Sequence, residues 1–323
     1  NGAMQVAQRA TSVTGHTSSG YTTVDRCQTW LSVLGTWTLS KDTDSPEGFS
    51  SSWKVDCTTA DTSIAADSYF TAGTTIEGQD LQHLKYGTSA AQSVTLSFWV
   101  KSSKTGTYMC ELFQDDGAVK NSITYTVSQA NTWENKSMTF AGNTGTAIAN
   151  DNTTGLRVYW VLAAGSNRTS GTHSNNTWHT TTANRYPGIV NLADSTSNTF
   201  YITGAQLEVG SVATDFEHRS YGEELALCQR YYERWDKSSV SDRHMLGGGW
   251  GGVLVGQMFV KKRDNATVSF LNAELRDDGN TLRTITSTIA GDRHFNLYAS
   301  GQTFKTGNLR LTSGGHIAFD AEL

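Results

Sequence analysis

The sequence predicts a mainly β protein. An N-terminal antiparallel β-sandwich of jelly-roll type is expected over residues 1–216, one connecting helix over 217–236, and a smaller C-terminal β domain over 237–323. Three observations lead there. Short segments with apolar side chains at every second position recur along the chain, separated by small polar turns, which is how half-buried strands read. No strand-like run alternates with a helical one, so a parallel sheet with crossover helices is not expected. The chain is rich in Thr, Ser, Gly and Asn, with 31 Gly but 2 Pro, and it carries 9 Trp, 12 Tyr and 12 Phe in 323 residues. That many aromatics belong to a packed interior, not a solvated tail.

The clearest strand is Val94–Val100, with apolar residues at 94, 96, 98 and 100. Tyr108–Phe113 runs into Asp115-Asp116-Gly117, a tight-turn signal, and Ser122–Val127 returns with Ile123, Tyr125 and Val127 alternating, so these two segments read as a hairpin. Leu156–Leu162 is almost continuously apolar, as a central strand would be. Thr199–Thr203 and Ala205–Val209 close the sandwich. Trp53, Trp99 and Trp160 fall in or beside strand-like segments and are expected in the core. Between Ala163 and Pro187 the composition turns to Gly, Ser, Asn and Thr, which reads as a long loop leaving the sandwich.

Ser220-Tyr-Gly-Glu223 has the spacing of a capping box. Leu225, Cys228, Tyr232 and Trp235 then recur at three- and four-residue steps, predicting one face of a helix from about Tyr221 to Trp235. Either the chain's own sandwich or a neighbouring subunit would cover so aromatic a face. Gly247–Gly252 reads as a flexible connector or a close backbone approach, and alternating segments beyond it make the second β domain.

Composition also bounds function. Lys and Arg number 25 against 30 Asp and Glu, a net charge of −5, and the densest basic run, Lys261-Lys262-Arg263, reads as an exposed strand end. Nucleic acid is therefore not an expected partner. No segment reaches the ~18–20 apolar residues of a membrane-spanning helix. Cys27, Cys57, Cys110 and Cys228 form no CxxC pair and sit among apolar residues, so buried free thiols are expected. No nucleophile elbow, zinc-protease or phosphate-loop motif occurs, and His173 and His179 do not have a metal-ligand spacing. Neither metal nor cofactor is expected. Glu111, Glu134, Asp115 and Asp116 are the carboxylates that glycoside hydrolysis would draw on, but the motif-poor chain reads as a non-enzyme. Sugars stack their CH faces on aromatic rings while Asn, Asp and Thr bond the hydroxyls. Trp178, His179 and Tyr186 in the long loop are therefore the candidate ligand contacts, with loop packing or subunit contact as the alternative.

Several segments resemble virion proteins of tailed bacteriophages, especially fibre-type proteins of marine phages. They are the opening Asn1-Gly-Ala-Met-Gln-Val-Ala-Gln-Arg9 with Gly20-Tyr21 and Asp25-Arg26, Phe200–Gly210 with Ala213–Glu217, Ser220–Tyr232, and Asp320–Leu323. Cys27 stands where that opening pattern often has Trp. The resemblance implies a tail or fibre component on the virion surface, assembled in the host bacterial cytoplasm, often as a homotrimer among other virion proteins. It also implies a jelly roll similar to carbohydrate-binding modules and attachment to a host-surface glycan. A capsid-decorating fibre or adaptor without its own receptor binding, and a polysaccharide depolymerase, are the alternatives. Such modules often hold calcium through an acidic residue of the last strand, and Thr203-Gly204 occupy that place here.

Overall fold

Period-two alternation becomes two facing antiparallel sheets. The computed structural model describes residues 1–236, 243–245, 253–277, 282–283, 285–299 and 307–323. Contacts divide them into two units, Asn1–Tyr221 with Leu323, and Gly222–Glu322.

The first unit contains β1 (Ser12–His16), β2 (Gly20–Tyr21), β3 (Gln28–Ser32), β4 (Thr36–Asp42), β5 (Ser52–Thr59), β6 (Tyr69–Glu77), β7 (Val94–Ser102), β8 (Gly106–Gln114), β9 (Val119–Val127), β10 (Glu134–Phe140), β11 (Thr154–Ala164) and β12 (Thr199–Val209). Sheet A runs β1-β4-β5-β12-β7-β10 and sheet B runs β2-β3-β6-β11-β8-β9. Counted from β5, sheet A takes the first, eighth, third and sixth strands and sheet B the second, seventh, fourth and fifth. That is the order of a jelly roll.

The inward residues of both sheets make one core. Val94, Leu96, Phe98 and Val100 of β7 all point into it. The Phe98 ring meets Tyr125 of β9 at 5.3 Å and Trp160 of β11 at 5.6 Å, both edge-on, so it ties the two sheets together. Full burial of such a side chain is worth roughly 1.5–3 kcal/mol. The expected hairpin is present: Tyr108 pairs with Tyr125 and Cys110 with Ile123, and Gly117 takes the turn at φ 73°. All four cysteines are free and buried, and burial pushes the Cys57 thiol up to about 11.

The stretch 165–190 leaves β11, forms a short helix α1 (Ser166–Thr169), and crosses the outer side of sheet B. It also seals two sheet edges. His179 and Lys120 exchange backbone hydrogen bonds of 2.9 Å in both directions, and Asn176 N–H donates to the Ser122 carbonyl, which caps edge strand β9. The Asn176 side chain accepts from Ala141 N–H at 2.8 Å and donates to the Thr139 carbonyl at 3.1 Å, taking the place of a neighbouring strand beside β10.

The second unit starts with α2 (Tyr221–Gln229), followed by β13 (Tyr232–Asp236), β14 (Arg243–Met245), β15 (Val253–Gln257), β16 (Thr267–Asp277), β17 (Leu282–Arg283), β18 (Ile285–Ala290), β19 (His294–Ala299) and β20 (Gly307–Asp320). One sheet has the order β13-β20-β16-β17, with β14 also on β20, and the other β15-β19-β18.

Two sequence expectations are corrected here. The helix stops at Gln229, and Tyr232 and Trp235 lie on β13. The steps from Leu225 to Trp235 fit a helix, but Tyr231, Tyr232 and Trp235 form an aromatic cluster with strong strand preference. A turn closed by Tyr231 N–H on the Cys228 carbonyl separates the two elements. Cys228 is buried and Leu225 half-buried on α2. Trp235 packs with Phe295 and Phe319 of its own unit, at 5.5 and 5.0 Å. Lys262, expected on an exposed strand end, is fully buried, because its ammonium pairs with Glu233 at 2.5 Å. Gly247–Gly252 lies outside the described residues.

Candidate functional site: an aromatic platform on sheet A

The alternation that sends Phe98 and Val100 inward sends Trp99 and Lys101 outward. On β12 the same rule buries Phe200 and Ile202 and turns Tyr201 out. Tyr201 lies opposite Lys101 on one side and Lys54 on the other, and Trp99 lies opposite Thr203 and Asn135. Directly opposed residues share a face. Trp99, Tyr201 and Trp133, just ahead of β10, are therefore three half-buried rings on the outer face of sheet A. Exposed Asn135 and Ser137 lie on the same face.

Lys101 is the hinge pin of this platform. Its ammonium sits 4.2 Å from the Tyr201 ring centroid and 5.2 Å from that of Trp133, and the two rings meet at 6.1 Å, nearly edge-on. Asp44 takes both polar groups, the Lys101 ammonium on one oxygen and the Trp133 indole N–H at 3.0 Å on the other. The loop carrying Asp44 is fixed in turn: Asp44 N–H donates to Asp42 Oδ1, and Ser52 Oγ donates to the Asp44 carbonyl. Lys54, on the neighbouring strand β5, lies 5.5 Å from the Tyr201 ring centroid and pairs with Asp56 at 2.9 Å. Burial works against the Lys54 charge, but Asp56 and Tyr201 outweigh it and raise its pKa.

At the next position along β12 the backbone bulges between Thr203 and Gln206. Gly204 has φ 62°, and a Cβ there would meet Phe49 at 2.7 Å and Trp99 at 3.1 Å. Only glycine fits. The ring of Phe49 continues the aromatic surface towards Phe216, 5.1 Å away. Where the resemblance places a calcium-binding acid, this chain packs aromatic rings around a bare backbone. No group of three or more potential metal ligands occurs among the described residues.

The hydrogen bond from Lys101, reinforced by the Trp133 indole and opposed by burial, holds Asp44 below its ordinary 3.8. Its contribution is thus present above pH 3.8 and is lost as pH falls through the lowered value. Trp133 emission is expected to stay constant down to pH 3.8 and to change only below it, whereas Asp44→Ala shifts it already at neutral pH. Fluorescence across an acid titration checks this.

Of the residues singled out from sequence, His179 and Tyr186 lie against sheet B, whereas Trp178 is held just past the end of β10. Trp178 is half-buried against the core, its indole N–H donating to the Ala141 carbonyl at 2.7 Å and its ring edge-on to Tyr86. Tyr186 is corrected as a ligand contact: it is fully buried, its hydroxyl donating to Glu111 at 2.9 Å. A flat ring must be open on one face to stack a sugar, and this one is not. His179 is half-buried beside Lys120. The three do not form one patch. Trp99, assigned to the core from sequence, is instead part of the platform, while Trp53 and Trp160 are core residues as expected. Of the four carboxylates considered for catalysis, Glu111 is buried under Arg185, Asp115 pairs with Arg157, Asp116 accepts from Ala149 N–H and Glu134 pairs with Lys136.

No family model matches the chain, and no curated protein does. Among solved structures it is similar to the enzymatically active domain of tailspike protein 4 of bacteriophage CBA120, with 13% identity and a TM-score of 0.33 over 65% of this chain and 21% of that one. The chain thus spans about a fifth of that protein's length. It is also similar to the C-terminal family 22 carbohydrate-binding module of Clostridium thermocellum Xyn10B, with 13% identity and a TM-score of 0.31 over 59% of this chain and 91% of that one. A CBM4 structure matches with 10% identity and a TM-score of 0.30 over 56% and 86% of the two chains.

Proposed function

We propose that the N-terminal sandwich binds carbohydrate on the outer face of sheet A, without turnover, as part of a bacteriophage tail or fibre that attaches to a host-surface glycan. One observation carries the binding reading. Three half-buried rings, Trp99, Tyr201 and Trp133, share a face otherwise lined by Asn, Ser, Thr and paired charges. Rings offer the stacking surface, and the fixed polar groups between them offer hydrogen bonds to hydroxyls. The virion reading, with its homotrimer, virion partners and particle-surface location, rests on the segments Asn1–Arg9, Phe200–Gly210 and Ser220–Tyr232 described above.

A glycan array identifies the ligand. Tyr201→Ala and Trp133→Ala are each expected to weaken it about tenfold or more, the scale of losing a buried aromatic anchor. Trp178→Ala is expected to leave affinity unchanged. Binding indifferent to both platform variants would sink the assignment. Release of reducing ends from the bound polysaccharide would replace binding by hydrolysis. Mass measurement in solution tests the trimer, and a stable monomer would count against it.

A further inference from the structure

The outer face of sheet B holds a second cluster, independent of the platform. Phe113 is half-buried there, and three cations approach its ring: Arg185 at 5.4 Å from the centroid, Lys120 at 5.6 Å and Arg157 at 5.7 Å. Two of them are neutralised. Arg185 donates to both oxygens of Glu111, at 3.1 and 2.5 Å, and Arg157 pairs with Asp115 at 2.5 Å.

Lys120 is not neutralised. Its residue is 5% exposed, yet its ammonium has neither a carboxylate within 4.0 Å nor any hydrogen-bond acceptor among the described residues. Burial lowers its pKa first, and repulsion from Arg185 and Arg168 lowers it further against the pull of Glu111. The side chain is covered along its length, while the ammonium itself keeps contact with solvent and so stays open to an incoming acceptor. The groups around it are also donors in want of an acceptor. His179 faces Lys120 across the backbone bridge, which puts both side chains on one face. Both of its ring nitrogens are buried and have no hydrogen-bond partner among the described residues. The Nε of Arg157, whose guanidinium also lies against Phe113, is buried and unpartnered as well. Glu111, the nearest carboxylate, is fully covered by Arg185 and Tyr186.

We propose that Lys120, with His179 facing it on the same side of the bridge, binds an oxyanion, the carboxylate or sulfate of an acidic saccharide whose ring rests against Phe113. The anion supplies the acceptor that Lys120 lacks, and charge-assisted hydrogen bonds of this kind are about twice as strong as neutral ones. The chain's net charge of −5 makes the surplus of cations at this one place the more specific.

Calorimetric titration of the full chain at low ionic strength tests the site, with sodium sulfate as one probe and oligogalacturonate as the other. Saturable uptake is expected, weakened about tenfold or more by Lys120→Met and largely kept by Lys120→Arg. Tyr201→Ala should not change it, so failure here and failure of the platform reading are separable. Lys120→Met is expected to melt close to wild type, since it keeps the apolar stem and removes a charge that no carboxylate among the described residues pairs. His179→Ala, which removes no obligatory charge, is the second variant and should also weaken uptake. Saturation by sulfate alone makes this a small-anion site, and saturation only by oligogalacturonate makes it an acidic-saccharide site; either supports an oxyanion at Lys120. Equal uptake by wild type and Lys120→Met, or no saturation of wild type by either probe, overturns the proposal.

Discussion

Glu111→Ala is expected to lower the unfolding free energy of the sandwich by about 3–5 kcal/mol, the range for stripping one partner from a buried ion pair. Glu111 is fully buried and holds Arg185 through two hydrogen bonds and Tyr186 through a third. Without it the Arg185 charge joins Lys120 and Arg168 with no carboxylate among them, so one deletion leaves a cluster of like charges under the loop. Urea unfolding followed by near-ultraviolet circular dichroism measures the loss. Glu111→Gln is expected to be milder. It keeps an acceptor for the Tyr186 hydroxyl and gives up only the charge. A loss below about 1 kcal/mol for the alanine variant, the usual size of an exposed pair, would mean that water reaches Arg185.

Glu233→Ala should have a comparable effect in the second unit. Glu233 is fully buried and accepts from Trp235 Nε1 at 2.6 Å, Phe259 N–H at 2.9 Å and Lys262 Nζ at 2.5 Å. Removing it takes the acceptor from a buried indole and a backbone N–H, and the counter-charge from an ammonium that keeps only the Gln229 and Val260 carbonyls, and about 3–5 kcal/mol of destabilisation follows. Lys262→Met is the informative contrast. It leaves the carboxylate with its N–H donors, so it should cost clearly less, by comparison of urea midpoints. Equal losses for the two would show that the ion pair, not the N–H donors, carries the site.

Much of this architecture is legible in the residues, and the failures are as physical as the successes. Val94, Leu96, Phe98 and Val100 predicted an inward face, and all four are in the core. The same alternation requires Trp99 to point out, whereas its place in a strand-like segment, taken without the phase, predicts the core. Tyr201 between Phe200 and Ile202 carries the same signal. The platform was therefore present as a phase, not as a motif. Asp44 was not legible, because its partners Lys101 and Trp133 lie 57 and 89 residues away and meet it only through sheet register. Tyr186 misled for the opposite reason. A large ring in a polar loop looks available until Glu111, 75 positions earlier, is seen to accept its hydroxyl. At Tyr232 and Trp235 two periods fit a short window equally well, and strand pairing with Asp320 and Ile317, remote in sequence, decided between them.

The Asn176 amide and the His179 backbone make one loop the guard of two borders. A cut within residues 176–179 would unmask the rims of both layers at once, inviting self-association through the bared strand edges. Anyone grafting new binding sequences into this stretch would do well to keep those two anchors and vary the residues ahead of them.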